Sequence, residues 1–380
     1  MRPAIVGVNQ TPYACRHGRW SLEELIYRTA RDLLKSARID LDDIDHVAIG
    51  SSDGLDGRSI SCMVTGGSVG DHGKDLINSS SSGEHALLLA CLRILSGRSR
   101  LALVVNWAKP SEAPLAQVDV TQLEPFYHRG VRVERTAFLA MQAQAYTHRH
   151  RVDPMAAAKV VEKNRANAGL NPLASRRAPV PAAAAASSEP VAWPLRAADL
   201  PPQDDGAVAL LVAEEETARR MADSYAIVSG FGWSTESYWA GERDLAELTS
   251  VSQAAAAAYR RAGICDPRRE LDVIEVMDVT PYHELMAYEA LGVAGPGRGP
   301  ALMEAGVTLR GGELPANPSG GLQGANPDFA AGLSRVAEAA LQVSGKAGER
   351  QVEGVRTAVA QTIAGFAAQT ASVFVLSRSQ

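Results

Sequence analysis

A chain of 380 residues with 46% hydrophobic side chains is too long for one small core and predicts two domains, or two halves sharing an interface. Aromatic residues make up 5% of the sequence, beside 33 glycines, which points to close helix-on-sheet packing and away from an aromatic-rich β-sandwich. The formal net charge of -5 and the scattered basic residues give no support to a nucleic-acid partner.

The N-terminal stretch MRPAIVGVNQTPYACRHG lacks the apolar run of a signal peptide, and no window has the length of a membrane span, so a cytoplasmic protein without a membrane partner is expected. Cys15, Cys62, Cys91 and Cys265 are widely separated, with none of the spacing of a zinc site or a disulfide framework. They are expected to be free thiols, and no metal is expected.

In chain order, residues 3 to 7 form a short apolar run, and a helix is predicted from Ser21, with Leu22, Leu25, Ile26, Ala30 and Leu33 along one face. A polar turn then leads to a strand at 47 to 50. Next comes INSSSSGEHALLLACLRIL, in which four serines and Gly83 precede a helix marked by Ala86, Leu87, Ala90, Cys91 and Ile94. Ser81 with Glu84 has the form of a capping box, and Ser80 stands just outside it, where orphan N–H groups and the helix dipole favour an oxyanion. A strand at 101 to 105 completes an α/β alternation that predicts a largely parallel sheet.

The same order returns after residue 220. Residues 226 to 228 echo 4 to 6, the alanine-rich helix at 252 to 262 echoes the one from Ser21, and AGICDPRRELDVIEVMD echoes ARIDLDDIDHVAIG. A helix is predicted at 334 to 342, and a last strand at 372 to 376 is matched with 101 to 105. This reads as a duplicated domain, with halves at 1 to 220 and 221 to 380, and not as a repeat array. Residues 108 to 205 are an insertion: 138 to 165 reads as helical, while the prolines flanking AAAAA predict an extended loop, with the whole insertion expected to cap a site.

The serine knot at 80 to 83, FLAMQAQAYTHRHRVDPMAAAKVVEKNRANAGLNPLA, DGAVALLVA, HELMAYEALGV and GELPANPSGGLQG together resemble the thiolase superfamily, in particular its sterol-carrier-type branch. The resemblance covers essentially the whole chain. It implies an α/β thiolase-like fold of two duplicated halves in a layered αβαβα arrangement, and a homodimer.

The same resemblance exposes departures. Family thiolases carry a nucleophilic cysteine where this chain has Ser80, and a hydroxyl needs an adjacent base to serve as nucleophile. His283 stands where the family has asparagine, and Asn326 where it has the histidine of a Gly-His-Pro turn. The exchange resembles a Ser-His-Asn version of the ketoacyl synthase III site. The acid/base cysteine falls at about Thr362, and Met277 at a position where this branch has histidine and its aldolase relatives tyrosine.

The expected catalytic set is therefore Ser80, His283 as base and Asn326 as donor, with Ala364, Gly365, Tyr282 and Gly321 lining the site and His85 as a competing base. The function expected first is acyl transfer from a CoA or carrier-protein thioester through Ser80 to a carbon, oxygen or nitrogen acceptor, with no permanently bound cofactor. The alternatives are a retro-aldolase working with a small OB-fold and zinc-ribbon partner, or a non-catalytic subunit. Arg165, Arg176 and Arg177 are the candidate grips for a CoA diphosphate.

Overall fold

The computed structural model describes residues 1–380 other than Ser81, Arg132 and Gln380; the expected Ser81–Glu84 capping box therefore lies outside the described residues. Strand β1 (Pro3–Gln10) leads to helix α1 (Leu22–Ala37), whose cap is Ser21, its hydroxyl accepting the Glu24 N–H at 3.2 Å. Then come β2 (His46–Gly50), β3 (Asp75–Ser79), α2 (Gly83–Leu95) and β4 (Leu101–Ala108). Helices α3 (Arg135–His150) and α4 (Pro154–Ala168) precede β5 (Gly206–Glu214). The remainder is β6 (Ala226–Thr235), α5 (Thr249–Ala262), β7 (Val273–Val276), α6 (Pro281–Ala290), α7 (Ala331–Ser344), β8 (Thr357–Ala364) and β9 (Thr370–Arg378).

The nine strands hydrogen-bond in the order β3-β2-β4-β5-β1-β6-β9-β8-β7. Read outward from the centre, β1-β5-β4-β2 is mirrored by β6-β9-β8-β7, with β3 as an extra edge strand. The two sets join through Ala4 opposite Ile227 and Ile5 opposite Ala226. This sheet is mixed where a largely parallel one was expected: β2 runs parallel to β3 and β4, and β7 to β8, but the other five pairings are antiparallel. Neighbours also correct the matching of strands. Since β4 lies parallel to β2 and antiparallel to β5, its counterpart is β8, and the counterpart of β5 is β9.

Alternating side chains divide each half-sheet between two cores. Leu103 and Leu211 join Leu25, Ile26 and Leu33 of α1 on one face. Val104 and Leu210 point the other way, into a cluster with Leu87, Cys91 and Ile94 of α2, Leu333 and Val336 of α7, and Ala360 and Phe374 of the second set of strands. Beyond that set, Val359 and Val375 pack on Val251, Ala254 and Ala258 of α5 and on Leu285 of α6. The layers are thus helix, sheet, helix, sheet, helix, the expected α/β fold. Helices α2 and α7 touch in the middle layer, so the N-terminal end of α2 opens between the halves.

The insertion is more ordered than its composition predicts. The helix expected over 138 to 165 is two: Arg151 takes a left-handed turn at φ 54°, and α4 restarts with Pro154 at its first position behind an Asp153 cap. The alanine run expected to be extended forms a helical turn, Ala182–Ala186. Pro181 precedes that turn, where a proline costs no hydrogen bond, and Ala185 is buried against Ala158 and Val161 of α4. A short hairpin, Pro190–Ala192 with Leu195–Arg196, follows. No helix of the described residues is long and apolar enough to cross a membrane.

Candidate active site

A cavity of about 580 Å³, within the range of small-molecule sites, opens at the head of α2 where the carboxyl ends of β2 and β3 meet the insertion and the second half. Its walls include Ser80, Ser82 and Glu84 from the serine loop and first turn of α2, Asn326 and Asp328 from the turn before α7, and Ala364 and Gly365 after β8. Arg135 and Leu139 of α3 close it from the insertion, and Met277 lies at the end of β7. The helix N-terminus brings orphan N–H groups and the positive end of its dipole to this space.

Ser80 and Asn326, expected together, do share the cavity. Ser80 is exposed, and its hydroxyl bonds to no described residue. Asn326 is held by its backbone: its N–H donates to the Asp204 carboxylate at 3.0 Å and its carbonyl accepts the Asp204 N–H at 2.9 Å. Its side-chain amide bonds to no described residue and stays available to a ligand. The next turn is pinned by Arg135, which donates to Asp328 at 3.1 Å and to Asp119 at 2.7 Å, tying the insertion to the loop that carries Asn326. Asp328 holds a left-handed φ of 40°, an uncommon conformation for a residue other than glycine.

His283 is not brought to this group. It is fully buried on the first turn of α6 and does not line the cavity. Both ring nitrogens are occupied, Nδ1 with the Thr280 hydroxyl at 2.7 Å and Nε2 with Oε1 of Gln142 at 3.0 Å. Gln142 Oε1 can only accept, so the ring proton sits on Nε2 and Nδ1 accepts from Thr280. Burial pushes the imidazole down to about 3, which leaves it neutral and weakly basic. The expected base is therefore not brought to Ser80: packing at the α6 cap holds His283 between Thr280 and Gln142.

Of the expected lining residues, Ala364 and Gly365 line the cavity, ahead of a turn in which Ala367 and Ala368 have φ values of 50° and 53°. Tyr282 is buried away from it, with its phenol pushed up to about 12 by desolvation. Gly321 is also behind the wall: with φ 59°, it lets the chain pass so close to Asp278 that a Cβ would lie 2.4 Å from the carboxylate. The Asp278 carboxylate accepts the Leu322 N–H at 2.6 Å and the Asn164 amide at 2.8 Å, so this region is scaffold. Arg165, Arg176 and Arg177 donate to the carbonyls of Ala178, Leu200 and Gly169, and none lines the cavity.

Two features escaped the sequence reading. His85 pairs with Ser82, not Ser80, with Nδ1 to Oγ at 2.8 Å, and burial lowers its pKa. Glu84, read as a capping carboxylate, is 1% exposed and lines the cavity, and its Oε2 has no hydrogen-bond partner among the described residues. Burial pushes Glu84 up to about 7. A signal was present: Glu84 lies three residues before Leu87 and seven before Cys91, on the buried stripe itself. Among the described residues, no group of three or more His, Cys, Asp or Glu side chains is placed to hold a metal ion.

Residues 233–378 match the family described as Thiolase C-terminal domain-like. Along 99% of both chains the sequence is 27% identical to an acetyl-CoA acetyltransferase of Methanothermobacter thermautotrophicus. It is 32% identical to sterol carrier protein 2 of Oryctolagus cuniculus over 53% of this chain, spanning 38% of that relative's own length. Among solved structures, the fold is similar to a chain of the Ltp2-ChsH2(DUF35) aldolase, with a TM-score of 0.84, 19% identity, and 99% and 97% of the two chains covered. The match of its second half, its sequence relatives and its duplicated fold together make the chain similar to the thiolase superfamily, in particular to its sterol-carrier-type branch.

Proposed function

We propose that this protein breaks, or in reverse forms, the carbon–carbon bond beside an acyl thioester by proton transfer, as a retro-aldolase, without an acyl-serine intermediate. The observation that carries this reading is the isolation of Ser80: the imidazole expected to activate it is buried between Thr280 and Gln142, outside the cavity. A free hydroxyl with no base is a poor nucleophile. What the cavity does present is the Asn326 amide, the orphan N–H groups of α2 and a carboxyl, a set suited to an enolate and to the proton that moves with it. The structural likeness to an aldolase chain that pairs with ChsH2(DUF35) is consistent with this reading, and a small partner protein is part of the proposal.

The test is a panel of β-hydroxyacyl-CoAs given to the purified protein, with release of an aldehyde or ketone and a shortened acyl-CoA followed by mass spectrometry. Product without a covalent adduct, retained in Ser80→Ala, is the expected result.

Acyl transfer through serine is the second reading. The Ser82–His85 contact favours it, because it provides one hydroxyl in the cavity with an imidazole at 2.8 Å. An acyl adduct on the intact protein, lost in Ser80→Ala or Ser82→Ala, would establish that reading in place of the first.

A further inference from the structure

We propose that Glu84 is the catalytic acid–base of this cavity, the group that carries the proton between the substrate's oxygen and its α-carbon. This assignment rests on the acyl-thioester reading above and names the residue that does its chemistry.

Three observations place it there. Glu84 sits in the first turn of α2, beside the serine loop, and is one of the residues of the cavity wall. It is 1% exposed, with Oε2 buried and unpartnered among the described residues, a costly arrangement for a residue with only a structural duty. Its surroundings are shaped to hold it: Gly332 of α7 leaves the space the carboxylate fills, since a Cβ there would lie 2.2 Å from Oε2.

The environment suits a group that must both take and give a proton. Among the described residues no charged side chain bears on Glu84, and burial acts against its ionised form. A carboxyl held near neutrality in this way is available as carboxylate and as acid at the same working pH.

In the cleavage direction, the Glu84 carboxylate takes the proton of the β-hydroxyl. The Cα–Cβ bond breaks, the β-carbon leaves as an aldehyde or ketone, and the bonding pair passes to Cα and the thioester oxygen as an enolate. Asn326 and the α2 N–H groups are placed to stabilise that oxygen. The Glu84 carboxylic acid then returns its proton to Cα, releasing the shortened acyl thioester. Atoms and electrons balance with no further reactant.

The experiment compares wild type, Glu84→Gln and Glu84→Asp, each first shown by thermal melting to be folded. Each is incubated with saturated acyl-CoAs in D2O, and deuterium at Cα is read by mass spectrometry, beside the cleavage assay. Wild type is expected to exchange the α-proton. Glu84→Gln is expected to lose roughly 10²-fold or more of that rate, the usual worth of a positioned acid–base. Glu84→Asp, which keeps a carboxyl but retracts it, is expected to fall between and covers the case in which the amide variant does not fold. Exchange at the wild-type rate in either folded Glu84 variant, or none in the wild type with any donor, overturns the assignment. Glu84-dependent exchange without cleavage of any β-hydroxyacyl-CoA would remove the lyase reading and leave the assignment standing. Cleavage that survives Glu84→Gln would do the reverse.

Discussion

Gly332 and Glu84 meet across the two halves of the fold: a Cβ built on the glycine of α7 would fall 2.2 Å from one carboxylate oxygen on α2 and 2.4 Å from its carbon. The middle layer is thus fitted to one side-chain position. Gly332→Ala is expected to leave the helix intact, since alanine is the better helix former by about 1 kcal/mol. It is also expected to push the carboxyl aside and lower turnover about tenfold or more, because small misplacements of a reacting group are expensive. Steady-state kinetics beside a melting curve checks this; unchanged turnover would mean that the carboxyl's position is not constrained by Gly332.

Glu84 also leaves a signature in stability. Its pKa rises from 4.5 in an ordinary setting to about 7 in the fold, so both states are protonated at low pH and only the unfolded chain ionises freely in between. Glu84 alone therefore costs the wild type on the order of 2–3 kcal/mol as pH climbs through this window, a share that Glu84→Gln lacks while the other buried carboxyls act alike in both. Melting temperatures of the two should nearly coincide at about pH 4 and separate in favour of the variant by about pH 8. Parallel curves across the range would mean that the carboxyl is not held near neutrality.

His283 is expected to behave as a structural residue. His283→Ala leaves the Thr280 hydroxyl and the Gln142 amide facing an unfilled space, at a cost of about 2–4 kcal/mol. Turnover per folded molecule should stay within about threefold of wild type, since no transition-state contact is lost. A collapse of kcat in a variant that melts normally would return the imidazole to the chemistry.

Arg135 holds two carboxylates from different segments, Asp119 and Asp328, at the cavity wall. Arg135→Gln is expected to cost about 1–2 kcal/mol, moderated by the partial exposure of the site. It should lower kcat and kcat/KM together, because the turn carrying Asn326, the donor assigned to the enolate oxygen, loses its anchor. A rise in KM with kcat unchanged would instead mean that Arg135 contributes only to substrate binding.

Much of the fold was legible in the sequence because it rests on local patterns that recur. The echo of 4 to 6 at 226 to 228, the apolar face of α1 and the stripe of α2 all announce repeated α/β units, since burial on a sheet demands those periods. Strand direction was not legible: β5 and β9 are apolar runs like any other, and only their partners reveal that they return antiparallel. The single turn at Ala182–Ala186 was hidden for the same reason, its stability coming from Ala185 packing on α4.

At the site, the sequence by itself picked out Ser80, Asn326 and the Ala364–Gly365 turn, which share one cavity, and the helix N-terminus that faces them. The tertiary structure alone decided which ionisable groups meet in that space. His283 is a catalytic residue type at a suggestive position, yet the α6 cap and Gln142 of α3 enclose it. Glu84 reads as a helix cap, yet α2 lies between two sheets, so its first turn is buried and its carboxyl is carried into the cavity wall. The physical reason is that the reactivity of a titratable group depends on the water and charges removed around it, and those are set by residues hundreds of positions away in the chain.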